Sequence, residues 1–257
     1  MTRAPTRTNF HSSRLIRVLT ELALVDAVDP GNAFAEKLGL WLNLNDAITL
    51  CAALNASSAS PPVTRVAAKS AANETLADEF ARVRAALVNS ITSSFSPGPG
   101  PSRLALPLPK PGVSLEAAAD YGPFRRYYAA QQRDMEARVR PLRARVREVL
   151  GQASPALRPL AALDATLEAI LCAREGKALA TVPVRLERRF EQLRQAHQQR
   201  LVETQQADNP ALWMNAGAWL ARFCSELQTV LLAELDIRLQ PTVGLMEALN
   251  NEMTQHT

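Results

Sequence analysis

The sequence predicts an all-α protein, and three observations lead there. Alanine, leucine, arginine, glutamate and glutamine recur throughout the 257 residues, and these lose least on entering a helix. Apolar residues return every three or four positions along most of the chain. Val, Ile and Thr nowhere form the alternating runs that strands need. With 47% apolar residues there is ample material for a core. The expected architecture is an antiparallel helical bundle with long coiled-coil-like hairpin helices, arranged as two helical units joined by a Pro-rich linker.

In chain order, Ser12 and Ser13 are placed to cap a first helix carrying Leu15, Val18, Leu19, Leu22 and Val25. DPGN at 29–32 is a turn. Two short helices follow, about 33–42 and 46–54, with Asn45 as the cap between them and Asp46 at the positive end of the second. NASSASPPV breaks the pattern, and Asn73 opens a helix striped by Leu76, Phe80, Val83, Leu87 and Ile91.

SPGPGPSRLALPLPKPG at 96–112 holds six prolines, which fix φ and cannot donate backbone hydrogen bonds. It reads as an extended linker, giving an amino-terminal helical unit at 1–95, a linker at 96–113 and a long-helix unit at 114–257. In that last unit Met135, Val139, Leu142, Val146 and Val149 form a heptad-like seam, expected to kink or restart at Pro141 and to close at Gly151. Ser154 and Pro155 start a helix with Leu160, Leu163, Leu167 and Leu171. Past Pro183, the next stripe is Leu186, Phe190, Leu193, His197 and Leu201. Asn209 and Pro210 begin the last helix, which Pro241 is expected to end. No internal repeat is present.

Catalytic and metal signatures do not emerge. GPGP lies in the proline segment, without the strand and helix that a phosphate loop needs. Glu234 and Asp236, two apart, fall on different sides of a helix. Glu187 and Glu191 share a face but sit among Arg188, Arg189 and Arg194, which reads as surface charge pairing. Cys51, Cys172 and Cys224 lie far apart, each inside an apolar helical pattern, and read as buried free thiols of a reducing compartment. His197, on an apolar stripe, reads as a partly buried, hydrogen-bonded histidine. The expectation is a protein without enzymatic activity, cofactor, metal or small-molecule substrate. It has no membrane-spanning segment and a cytoplasmic location.

Charge is more telling. Phe124–Leu150 carries eight arginines against three acids, whereas the chain beyond Leu201 carries seven acids against two arginines. Arg133, Arg140 and Arg147 recur every seven residues and, with Arg143, form a ridge able to follow phosphates or an acidic partner. The competing reading has the ridge solvated, or neutralised inside the bundle by the acidic last helix. No aromatic residues interleave with it as stacking platforms, so the second reading is preferred.

The stretch FAEKLGLWLNLNDAITLCAAL, Phe34 to Leu54, reads as an αα-corner closing on its own core, with Trp41 a candidate partner anchor if it protrudes. The same stretch resembles the hallmark of an uncharacterised bacterial family known as a domain of unknown function. EFARVRAALVNSI, YYAAQQRDMEARVRPLRARVRE and VLLAELDIRLQPTVGLMEAL resemble its later blocks, so the similarity spans nearly the whole chain. In that family an aromatic and a threonine usually stand where this chain has Leu44 and Asn45. The family supplies no catalytic residues to carry over. Its genes often lie beside those for OmpA-type and MotA- or TolQ-type envelope proteins, which implies an accessory of an envelope complex, peripheral to the inner membrane through a protein partner. The expected function is a helical adaptor or scaffold binding helical or coiled-coil partners, with a homodimer among the expected assemblies; the alternative is a nucleic-acid-binding protein using the arginine ridge.

Overall fold

A computed structural model of the chain describes residues 13–25, 42–55, 66–95, 104–109, 112 and 114–255, with side chains from 74 onward in the third of these stretches. Most of the described residues are helical, and none of them lies in a strand. The helices are α1 (Arg14–Glu21), α2 (Leu44–Asn55), α3 (Val66–Ser93), α4 (Leu115–Ala118), α5 (Gly122–Ala153), α6 (Arg158–Ala180), α7 (Val182–Thr204) and α8 (Trp219–Gln255), with short 3-10 turns at Pro155–Leu157 and Pro210–Leu212.

Two long helices run side by side in the same direction. Phe124 of α5 stacks edge-on against Phe223 of α8, Tyr128 bonds Glu234, and beyond the end of α5 Ser154 bonds Glu252, so the partner numbers rise together. The α6–α7 column returns against both. Arg143 meets Asp164 and Gln132 meets the Leu179 carbonyl, so α6 descends along α5. Lower down, Arg189 pairs with Glu226 and His197 stacks on Trp219, so α7 descends along α8. Only Thr181 separates α6 from α7, and its backbone stays helical. These contacts run α6 opposite to α5 and α7 opposite to α8, while α5 and α8 run the same way.

The seam on α5 is buried at Met135, Val139, Leu142, Val146 and Leu150; Val149 is only partly covered. The helices run past all three positions at which a break or an end was expected. α5 continues through Pro141 and Gly151, and α8 continues through Pro241 for its full 37 residues. Each proline sits on the open side of its helix, Pro141 exposed and Pro241 half-buried, where a lost backbone bond leaves its carbonyl within reach of water. Neighbouring layers hold both helices in register across the break.

The amino-terminal helices do not keep a separate core. Leu15, Val18 and Leu19 of α1 and Leu87 and Ile91 of α3 belong to the same apolar cluster as Phe124, Leu186 and Leu227. Arg14 pairs with Asp236 at 2.7 Å, and Arg185 donates to the Leu24 carbonyl. Within the segment expected to be an extended linker, Leu104 and Leu106 pack against that cluster, and Ser94 Oγ bonds the Leu104 carbonyl. One core thus crosses the expected 96–113 boundary, because the prolines stop helices without stopping apolar side chains from packing.

Capping also differs in detail. Ser13 occupies the cap position of α1 without a side-chain capping bond. α2 is capped by Asn43 rather than Asn45: the Asp46 N–H donates to Asn43 Oδ1 at 2.8 Å and the Asn43 N–H donates to Asp46 Oδ2 at 3.0 Å. This reciprocal pair is a capping box, with Asp46 at the third helical position. α3 begins at Val66, ahead of the expected Asn73. The last helix begins at Trp219, because Asn209 caps only a 3-10 turn and Gly217, with φ +81°, turns the chain before α8.

α2 lies on α6, and none of its residues is buried. Ile48, Cys51 and Leu54, expected inside an αα-corner, are exposed. The other half of that corner, Phe34 to Trp41 with its candidate anchor Trp41, lies outside the described residues.

Candidate functional site

The packing of α6 on α5 changes character along its length. Toward the carboxyl end of α5 the helices are clamped. Arg143 Nε and Nη2 donate to the two oxygens of Asp164 at 2.9 and 2.6 Å, and Arg147 Nη1 reaches both Asp164 and Glu168. Two-point guanidinium–carboxylate contacts are among the strongest hydrogen bonds proteins make. Burial works against the charged form of Arg147, but its bonds to Asp164 and Glu168 outweigh burial and hold its pKa above the usual value.

Toward the amino end of α5 the pair opens into a cleft of about 300 Å³. α5 lines it with Gln132, Arg133, Glu136, Arg140 and Arg143; α6 contributes Glu168, Cys172, Glu175 and Gly176; α8 contributes Arg238. The opening has a local cause in small side chains, namely Ala129, Cys172 and Gly176. A Cβ added at Gly176 would meet nothing within 4 Å.

Next to the cleft lies a buried carboxylate. Glu234 is fully buried in α8 and takes hydrogen bonds from three side chains. Tyr128 Oη donates to Oε2 at 2.7 Å, Gln132 Nε2 reaches both oxygens at 3.0 and 3.1 Å, and Arg238 Nε and Nη2 both donate to Oε1 at 2.9 and 2.8 Å. Gln132 Nε2 also bonds the Leu179 carbonyl near the end of α6, so one amide ties three helices. Burial, and then the Glu234 charge, push the Tyr128 hydroxyl well above its ordinary pKa, so it serves as a donor. Gln132 and Arg238 both line the cleft and hold this carboxylate.

The four ridge arginines therefore meet different fates. Arg133 and Arg140 are exposed on the cleft and make no ion pair among the described residues. Arg143 and Arg147 are engaged with α6. Their partner is not the acidic last helix, whose Glu226, Glu234 and Asp236 pair with Arg189 and Arg222, with Arg238, and with Arg14. The cleft itself and the Glu234 network were not foreseen. The available signal was a glutamate inside the apolar run VLLAELDI, followed four residues later by an arginine.

His197 forms a second polar cluster. Its Nε2 lies 3.0 Å from Asp208 Oδ1, which also accepts from Trp213 Nε1 at 2.7 Å, while the imidazole stacks on Trp219. The His197–Asp208 contact ties the 205–218 connection to α7. Among the described residues, no group of three or more His, Cys, Asp or Glu is placed to hold a metal ion, and no helix is long and apolar enough to cross a membrane.

Fold and site together define an all-α protein built around a charged inter-helix cleft. The chain belongs to the family described as protein of unknown function DUF3348, whose model matches residues 1–251. No curated protein and no solved structure matches it.

Proposed function

We propose that this protein is a non-enzymatic helical adaptor that presents α2 to a partner with a helical, apolar surface. The observation that carries the reading is the outward face of α2. Leu44 is 76% exposed, Ile48 57% and Leu54 47%, with the Cys51 thiol beside them. The only charge on α2, Asp46, is engaged with the helix's own amino end. A surface helix ordinarily turns charged residues to water; an uncharged apolar face suits a protein contact. In this reading the long helices, with coiled-coil-like seams, form a rigid frame that holds α2 on its flank. Proximity to the inner membrane through an envelope-complex partner, as the family resemblance implies, is part of the same proposal, as is a cytoplasmic location.

The test compares the full chain with a Leu44→Ser/Ile48→Ser variant, both cross-linked in nuclease-treated extracts of the native cell. The reading expects a discrete partner, or a second copy, cross-linked to α2 in the natural chain and lost in the variant. Cross-links that ignore α2, or a partner retained by the variant, would overturn it. Nucleic-acid binding through Arg133, Arg140, Arg143 and Arg147 is the weaker reading, since two of the four are already paired and acidic residues line the same cleft.

A further inference from the structure

We propose that the cleft between α5 and α6 binds a small zwitterion, a molecule carrying one anionic and one cationic group. Several charged side chains on the cleft walls have no partner inside the protein among the described residues. Arg143 is held by Asp164, Glu168 by Arg147, and Arg238 by Glu234. Arg133, Arg140, Glu136 and Glu175 remain, two of each sign, on the walls of one cavity.

These residues have every opportunity to neutralise one another and do not. Glu136 stands three residues after Arg133 and four before Arg140, the spacings at which helical ion pairs close. Among the described residues neither contact is made, and all three side chains line the cleft. A simple anion on Arg133 and Arg140 would face the carboxylates of Glu136 and Glu175; a simple cation would face the guanidiniums. A ligand with both charges satisfies both sets.

Two further guanidiniums are already oriented. Arg143 and Arg238 each use Nε and Nη2 on a fixed carboxylate, which leaves Nη1 without a hydrogen bond among the described residues. Donors held by other side chains lose little freedom when they bind. The cavity volume of about 300 Å³ lies at the small end of ligand sites, which fits a molecule the size of an amino acid or an amino-phosphate. This inference does not rest on the adaptor reading and concerns a different face from that of α2.

The experiment is calorimetric titration of the full chain with individual L-amino acids and with phosphoethanolamine, alongside acetate, inorganic phosphate and methylamine as single-charge probes. Saturable binding of at least one zwitterion is expected, weakened roughly ten-fold or more by Arg140→Ala and by Glu175→Ala. Gly176→Leu should abolish it by filling the cleft while leaving the melting temperature in place, since nothing lies within 4 Å of the added Cβ. Any one of three results would overturn the proposal: no zwitterion binds, Gly176→Leu binds as well as the natural chain, or acetate, phosphate or methylamine binds as tightly.

Discussion

Tyr128 donates its hydroxyl proton to Glu234 at 2.7 Å where α5 and α8 run in parallel, and neither side chain meets solvent. A buried carboxylate is tolerable only when its lone pairs are filled, and here three side chains fill them.

Removing one donor should therefore be costly. Tyr128→Phe is expected to lose about 1–3 kcal/mol of stability, the penalty for leaving a buried acceptor short of a partner. Glu234→Gln should lose more, about 3–5 kcal/mol, because it strands the Arg238 guanidinium beside an uncharged amide. Chemical denaturation of both variants measures this; a loss for Glu234→Gln smaller than that for Tyr128→Phe would contradict the arrangement.

The arginine ridge should divide in two. Asp164→Ala leaves Arg143 and Arg147 without a shared partner and is expected to destabilise by about 2–4 kcal/mol. Arg133→Ala and Arg140→Ala touch exposed side chains and should stay within about 0.5 kcal/mol of the natural chain. Denaturation midpoints of the three variants check this directly.

Glu226 sets an acid limit. Burial raises its pKa, but the hydrogen bonds it accepts from Arg189 and Arg222 outweigh burial, and the net shift is downward. A carboxylate with a depressed folded-state pKa stabilises the fold at pH values above its unfolded pKa. That contribution is lost as pH falls through the folded value. Melting temperature should fall with acid less steeply in Glu226→Gln than in the natural chain, and equal slopes would refute the assignment.

The three thiols should differ in reactivity. Burial pushes the Cys224 pKa up to about 12, so it carries little thiolate at neutral pH. Cys51 and Cys172, expected from their apolar helical surroundings to be buried, are instead exposed. A thiol reagent should modify two cysteines promptly in the native protein and the third only on unfolding.

Periodicity made much of the fold legible, as Met135, Val139, Leu142 and Leu186 illustrate: each lies where its stripe places it. Helix ends were less legible. Pro141 and Pro241 break local propensity, but tertiary packing on both sides of each proline restores the helix, and a linear reading does not contain that packing. For the same reason the prolines of 96–113 suggested a boundary where Leu104 and Leu106 in fact pack on the core. The Glu234 network joins residues 102 and 106 positions apart, and only Glu234–Arg238 leaves a trace at helical spacing. α2 misled in the opposite direction: Ile48 and Leu54 have the composition of a core helix, yet they face outward.

The alkylation rate of Cys51 tests most directly whether the α2 face is covered by a partner. It should be compared for dilute purified chain and for chain in freshly opened native cells, with a short cysteine peptide added to both as reference. The adaptor account predicts rapid modification of Cys51 in the purified protein and strong protection in the cell extract, with the peptide thiol changing far less. Equal Cys51 rates in the two settings would contradict it.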